Sequence, residues 1–545
     1  MEFAKELIKR AKKVRNIQSA WDDQYDDLAR VMLPRLLGFS EGRERGASRV
    51  EDIYDGTPMR GARGLANAIG SLMRPEGEKW MFIEADVQDE EGQVWIEDSE
   101  NRLRDAFDNP KARMRQVTGE VDLGLVVFGT APFMLTESRN LHQLLWKSIP
   151  LKDIAIDWDE DGLAGVYYFK KLNVRQAENT FGFDKLGETA KTWIRDEKID
   201  ERMLYINAVI PRVDRMVRGR NFAVNMPIAS YWIEVESDHI VEESGFNEWP
   251  YIIPRMDTSP GENMGRSPGM IALPDSNTAQ AMGETILVAG QRAADPPLFA
   301  PNDGSFNEAN TFPGGISYYD VSLARAMRGN PVFPLDTGHN LAISRDMQND
   351  TREQIFAAFF RNVLNLPVNG PQMTATEIIE RKSEWMREIG PMFGRLEPEY
   401  NVPMVERGFM IMLRAGGFAP IPESLQGQDV KFEFESPVKR VRAQIEAAAA
   451  RAWKDEIMEI HSITPESQVL DTINLDEYSR FLAQSAKVPL ALQNSPEEVE
   501  QTRQARSEAQ QQQQMVQGLM DAAGPAKDAV SALAELGGGN QQSVV

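Results

Sequence analysis

Five residues, Gly265-Arg266-Ser267-Pro268-Gly269, have the spacing of a nucleophile elbow, in which a serine attacks an acyl carbon. The N–H of the next residue then helps to bind the oxyanion, but that residue here is Pro268, which has no N–H. The better reading is a turn in which Ser267 and Pro268 open a long helix. Asp157, Asp159, Asp161 and Gly162 match the start of a calcium-binding loop, yet its twelfth position, which needs a bidentate Glu, is Tyr168. The flanking DIAID and GVYYFKKL read as strands, so a β-hairpin turn is expected. The four histidines, His142, His239, His339 and His461, lack ligand spacing, and no G-x-x-x-x-G-K-[ST] occurs. No catalytic, cofactor-binding or metal-binding residue is therefore assigned, and P-loop ATP hydrolysis is left to a separate protein.

What remains is architecture. Between Phe246 and Gly315 the chain runs FNEWPYIIPR, GENMGRSPGMIALPD and DPPLFAPNDG…NTFPGG. Pro250, Pro254, Pro260 and Pro268 fix φ and remove donors, so this run up to Ile271 reads as loop and edge. From Leu273 to Asp295, Ala279, Met282, Ile286, Ala289 and Ala293 recur at helical steps as a narrow apolar seam, and Pro296 and Pro297 end it. Gly283 and Gly290 cost this helix roughly 1 kcal/mol each relative to Ala, and such a helix needs a packing partner. The segment Leu341 to Val363 is the candidate. It carries Arg345, Asn349 and Arg352 in one row and Asp346, Asp350 and Glu353 in the next, with Ile355, Phe356, Phe359, Phe360 and Val363 expected to be buried. The charged rows fit either a solvated face or a head-to-tail contact between copies in a ring.

At 545 residues the chain has material for roughly three to four domains of about 150 residues. The absence of cysteine excludes disulfides and thiolate metal sites and fits a reducing cytoplasm. The opening MEFAKELIKRAKKVR is not a secretory signal, and the longest apolar stretch, Gly124 to Leu135, is too short to span a bilayer, so a soluble chain is expected. A net charge of −23 argues against a protein that grips DNA by neutralising phosphates, although it suits a channel through which DNA slides.

Residues 2 to 75 read as helical, with Phe3, Leu7, Val14 and Ile17 as an apolar stripe beside Lys5, Lys9, Arg10, Lys12, Lys13 and Arg15. The acidic block Asp22, Asp23, Asp26 and Asp27 follows at once, which favours a surface helix over a membrane-bound one. From Trp80 to Pro250, WMFIEA, DIAID, GVYYFKKL, MLYINAVI and SYWIEVES read as strands of an antiparallel α+β domain, with helices near 93–109 and 112–128. Helix returns from Glu377 to Gly416, broken at Pro391 and Pro398 and capped by Gly416-Gly417. VKFEFES (Val430 to Ser436) alternates as a strand, helices are expected over 438–461 and 475–485, a polar tail with QARSEAQQQQQ (Gln504 to Gln514) follows, and the last residues, GGGNQQSVV, are expected to be disordered.

The order of these motifs resembles the head-to-tail connecting, or portal, proteins of short-tailed, T7-like double-stranded DNA bacteriophages. The resemblance begins at Trp21…Tyr25…Leu33-Pro34 and continues with IYDGTPMRGARGLANAIGSLMRPEGEKW (Ile53 to Trp80) and DLGLVVFGTAPF (Asp122 to Phe133). PYIIPR, ENMGRSPGMIALPD, DPPLFAPNDG and FPGGI follow, and MTATEIIERKSEWMREIGPMFGRLEPEYNVPMVERGF (Met373 to Phe409) closes the set. It implies an α+β, multidomain ring subunit: an α/β N-terminal wing over 1–267, stem helices over 268–297 and 340–363 around a small clip at 298–339, a tunnel loop and C-terminal wing over 364–436, a helical crown over 437–520 and a disordered tail over 521–545. It further implies a ring of about twelve copies at one capsid vertex of a virion, made in the host bacterial cytoplasm. Such a ring is a channel for genome packaging and ejection, without a cofactor and without a membrane. Its implied partners are major capsid and scaffolding proteins, the terminase large subunit, tail or adaptor proteins and double-stranded DNA passing non-specifically.

By the same resemblance Asn365, Pro367, Asn369, Gly370 and Gln372 border the tunnel, with an ordinary interhelix connection as the alternative. Arg345, Asp346, Asp350, Arg352 and Glu353 lie between stems of adjacent copies, and Tyr318, Tyr319 and Asp320 belong to the clip. The competing classes are a non-portal virion adaptor or scaffold, for which a strand-rich region of this length is unexpected, and a nucleic-acid enzyme. The latter needs a carboxylate cluster for two metals, whereas the acidic pairs here read as turns and helix faces.

Overall fold

The computed structural model describes residues 2–36, 38–39, 53–77, 79–84, 90–138, 143–160, 162–212, 225–295, 298–301, 315–319, 333–334, 341–361, 387–388, 390–425, 431–434, 437–463 and 472–485, with short pieces on to 514. Two units are present, Met1–Val441 and Arg442–Val545. The first opens with α1 (Glu2–Gln18), α2 (Asp22–Met32) and α3 (Thr57–Met73), followed by β1 (Met81–Glu84), α4 (Glu90–Asp108) and α5 (Met114–Phe128). The face α1 buries differs from the expected stripe. Ala4, Leu7, Ile8 and Ala11 pack on Tyr167, Ile206, Ala208, Tyr231 and Ile233, while Phe3 and Ile17 are 46% and 62% exposed. Small alanines win because they let the helix axis approach the sheet.

Next come β2 (Phe133–Glu137), β3 (Leu144–Ser148), β4 (Ile154–Asp159), β5 (Gly162–Asn173), α6 (Val174–Phe181), α7 (Glu188–Arg195), β6 (Arg202–Pro211), β7 (Ile228–Glu234), β8 (His239–Phe246) and β9 (Tyr251–Ile252). β4 to β8 form a five-stranded sheet in sequence order, antiparallel throughout. Strand alternation gives it two apolar faces: Ile206 and Ala208 of β6 meet α1, and Met203 and Tyr205 meet Val174, Ala177 and Phe181 of α6. The capping box of Asn173 and Gln176 starts α6 directly from β5.

The remaining elements are α8 (Pro268–Ala294), β10 (Leu298–Pro301), β11 (Ile316–Tyr319), β12 (Phe333–Pro334), α9 (Leu341–Ala358), α10 (Val402–Arg414) and β13 (Lys431–Phe434). α8 packs on α9, the partner the sequence called for. β10 pairs parallel with β11 and antiparallel with β12, and β13 returns to pair with β1, Met81 opposite Phe434. Residues 390–396 stay helical through Pro391, where a break was expected; the irregularity is a π turn at Glu397–Asn401 containing Pro398. In the second unit lie most of α11 (Pro437–Ile463) and all of α12 (Leu475–Ser485).

Two buried contacts tie the first unit together. Arg74 donates to both carboxylate oxygens of Asp122 at 2.7 and 2.6 Å and to Asn401 at 3.3 Å, and its guanidinium lies 4.4 Å from the centre of the Tyr400 ring. Burial would lower the pKa of Arg74, but Asp122 and Tyr400 outweigh it and hold the guanidinium above its ordinary value. The second contact is between backbones. Gly129, at φ +80, and Gly265 approach so closely that a Cβ on either would lie 2.3 or 2.2 Å from the other's carbonyl oxygen. The hydrogen bonds Met256 N to Gly129 O (2.8 Å) and Gly265 N to Thr130 Oγ1 (2.7 Å) flank the crossing.

Gly265→Ala is accordingly expected to cost about 3 kcal/mol, whereas Gly119→Ala, where an added Cβ meets nothing within 4 Å on an exposed face of α5, is expected to stabilise by about 0.5–1 kcal/mol. Urea unfolding of the two variants checks the contrast; similar stabilities would contradict it.

Candidate functional site

The GRSPG turn and the VVFGT segment interlock. Ser267 caps α8 by accepting from Met270 N at 3.0 Å, and its hydroxyl donates to Val127 O at 2.7 Å. Its oxygen is committed to holding a helix, and the seryl-nucleophile reading fails on geometry as well as on the missing N–H. Gly269 is needed because a Cβ there would sit 2.9 Å from the same Val127 carbonyl. The start of α8 is thereby fixed to the end of α5.

Farther along, α8 meets the Tyr54-Asp55 segment. One side-chain amide, that of Gln280, satisfies three backbone groups: Tyr54 N and Asp55 N donate to Oε1 at 2.8 and 2.9 Å, and Nε2 donates to Asp55 O at 2.6 Å. One turn on, a Cβ at Gly283 would lie 2.9 Å from Tyr54 Cβ, which explains a glycine inside the helix despite its cost.

The Asp55 carboxylate, almost wholly buried, joins this segment to two helices. Oδ1 accepts from Thr57 N at 2.9 Å and Thr57 Oγ1 at 2.6 Å, fixing the entry to α3. Oδ2 accepts from Arg352 Nε at 2.8 Å and Gln348 Nε2 at 3.4 Å, neighbours one turn apart on α9. Burial, the largest influence, would raise its pKa, but the bonds from Thr57 and Arg352 prevail and hold it below the ordinary 3.8. A carboxylate with both oxygens occupied by donors and a depressed pKa is a structural anchor, unsuited to proton transfer at neutral pH. Around it Thr351 Oγ1 lies 3.8 Å from Met282 Sδ, and Phe359 fills the space that a Cβ at Gly61 would enter at 2.5 Å. Ile355 and Phe359 are buried as expected, Phe356 and Phe360 partly so, and Val363 lies outside the described residues.

Asp55, Gln280 and Gln348 were not singled out from the sequence. The available signal was Asp two residues before Thr-Pro in IYDGTP, a helix-start pattern. Of the proposed interhelix charges, Arg352 has its partner within its own chain, and it also donates to Asn349 at 3.3 Å. Arg345, Asp346, Asp350 and Glu353 are exposed. Tyr318 and Tyr319 end β11, whereas Asp320 and all of Asn365, Pro367, Asn369, Gly370 and Gln372 lie outside the described residues. Asp157 pairs with Arg10 at 2.9 Å at the edge of the β4–β5 hairpin, as the turn reading requires, and Asp161 is outside the described residues. Among the described residues no group of three His, Cys, Asp or Glu is placed to hold a metal ion. No described helix is long and apolar enough to cross a membrane.

Several of the quoted motifs thus meet one another among the described residues: IYDGTP touches α8 and α9, VVFGT touches GRSPG, and Arg255 of PYIIPR donates through N, Nε and Nη2 to Glu399 of EPEY at 3.1, 3.0 and 2.7 Å. Residues 4–492 match the family described as bacteriophage head to tail connecting protein, and the chain belongs to that structural family of phage head–tail connectors, or portals. Among its relatives, a probable portal protein of Bordetella phage BPP-1 is 27% identical over 516 residues, covering 93% of this chain and 91% of that one. The portal protein of Salmonella phage epsilon15 is 24% identical over 544 residues, covering 95% and 94%. The solved neck of an empty GTA particle, at 11% identity and a TM-score of 0.36 over 75% of this chain and 90% of that one, is too distant to bear on function.

Asp55→Asn is expected to destabilise the protein by about 2 kcal/mol at pH 7, the scale of hydrogen bonds to a charged group. Because the folded pKa is depressed, this contribution is complete above the unfolded value near 3.8 and is lost as pH falls through the lower folded value. Denaturant curves of wild type and variant should therefore differ at pH 7 and converge in stronger acid; identical curves at pH 7 would contradict the anchor.

Proposed function

We propose that this chain forms a homo-oligomeric ring, of about twelve copies, at one capsid vertex of a phage virion, and that DNA passes along its axis during packaging and ejection. The observation that carries this reading is the match to the connector family over residues 4–492. The Asp55 junction supports it physically. Two packed helices, α8 and α9, are clamped at one level by Asp55, Gln280, Gln348 and Arg352, while Leu287 and Val288 farther along α8, and Met347 before Gln348 on α9, are exposed. A rigid helix pair with uncovered apolar side chains suits the stem of a ring, where neighbouring copies supply the cover.

In this reading residues 1–267 and 364–436 form the wing, 298–339 the clip and 437–520 the crown. The clip, with Tyr318, Tyr319 and Asp320, receives the terminase large subunit during packaging and then tail or adaptor proteins, while capsid and scaffolding proteins surround the ring. Asn365, Pro367, Asn369, Gly370 and Gln372 border the channel as neutral polar and turn residues that touch phosphate without strong counterion release. A net charge of −23 is compatible with a wall along which DNA slides.

Native mass spectrometry with negative-stain imaging of the purified chain is expected to give rings of about twelve copies with a central hole. A stable dimer with a closed interface would overturn the reading. Deleting Asn365 to Gln372 is expected to leave ring assembly intact and reduce packaging or DNA retention in phage assembly; unchanged packaging and retention would remove the loop from the channel wall.

A further inference from the structure

The cis pairing of Arg352 with Asp55 changes what the acidic row of α9 can meet in a neighbouring copy. α9 buries Gln348, Thr351, Ile355 and Phe359 and leaves Asp346, Asp350 and Glu353 exposed roughly half a turn away, on the face directed away from its own chain. α3 shows the reverse sign: it buries Gly61, Ala62, Leu65, Ala66 and Ile69 and leaves Arg60, Arg63 and Asn67 exposed on the opposite face. Among the described residues none of Asp346, Asp350, Glu353, Arg60 or Arg63 has an ion-pair partner. With Arg352 engaged by Asp55, the basic row first expected to receive the acidic one has lost a main member.

Resting on the ring reading above, we propose that Arg60 and Arg63 of one copy receive Glu353 and Asp350 of the next. Cyclic symmetry supplies the geometric reason: rotation about the ring axis preserves height, so two patches that meet across a head-to-tail interface must lie at the same level in each copy. Here α3 and α9 touch directly, since Phe359 occupies the space beside Gly61. Arg60 adjoins Gly61, and Glu353 and Asp350 precede Phe359 by six and nine residues, about 9 and 14 Å of helix; Arg352, next to Glu353, also holds Asp55, five residues before Arg60, so the two rows lie along the same stretch of the packed helices. Lys9, Lys12 and Lys13, an exposed basic row on α1, ride on the five-stranded sheet, and among the described residues no such tie to α9 is seen. Both surfaces are polar and half-open to water, so each pair is weak by itself, and repetition around a closed ring gives it effect.

The test is a charge swap in the full chain. Wild type, Asp350→Arg/Glu353→Arg, Arg60→Glu/Arg63→Glu and the quadruple variant are compared by native mass spectrometry over a concentration series. Far-ultraviolet circular dichroism serves as the folding control, because all four residues are exposed. Each double reversal is expected to raise the concentration needed for rings at least about tenfold, and the quadruple variant to restore it to within about threefold of wild type. Rings unaffected by either reversal, or lost in both and not restored in the quadruple variant, would overturn the interface. Loss of DNA retention in assembled particles with rings intact would instead place Arg60 and Arg63 against DNA, also overturning it. Wild type that forms no ring at any concentration would show that the ring reading itself had failed, a result distinct from these.

Discussion

A single buried carboxylate, that of Asp55, ties the start of α3 to α9 beside α8. Taking an aspartate out of water costs several kcal/mol unless its oxygens are given donors. Asp55 receives them from three residues at two places in the sequence: Thr57 at the start of α3, and Gln348 and Arg352 on α9. The adjoining backbone is satisfied by Gln280 of α8. The segment can be buried only if both helices are in register with each other and with α3. A pair of helices that would otherwise slide along an undemanding apolar seam is held by polar groups whose geometry is strict.

The start of α8 is fixed by a different kind of contact. Gly129 and Gly265 permit two backbones to cross where no side chain fits, and Ser267 then ties the first turn of the helix to Val127. α8 is thus held at its beginning by backbone contact and near its middle by Gln280 and Gly283. Beyond that point its apolar side chains include Leu287, 52% exposed.

Much of this was legible in sequence because it rested on local rules. The period of α8, its start at Ser267-Pro268, the hairpin around Asp159–Gly162 and β4 to β7 of the large sheet follow from spacing, capping and turn chemistry. The stripe on α1 was misjudged because large apolar residues were favoured over Ala4 and Ala11, whose value lies in a close approach that only the sheet beneath reveals. β2 and β3 escaped notice because each is a strand of only five residues, β9 because it has two residues and pairs with β2 over a long separation, and α6 and α7 because each has only eight residues. The Asp55 junction was out of reach for a related reason: Asp55, Gln280 and Arg352 are ordinary surface residue types, and only the fold places them together. The family resemblance, by contrast, rested on collinear motifs, and among the described residues several of those motifs touch one another.

The most direct test of the central claim is a cryo-electron microscopy reconstruction of the assembled protein at a resolution that shows side chains. The account predicts a closed ring in which, in every copy, Arg352 pairs with Asp55 of its own chain and Gln280 bridges the Tyr54-Asp55 backbone. Arg352 turned towards a neighbouring copy, with Asp55 separated from α9, would contradict it.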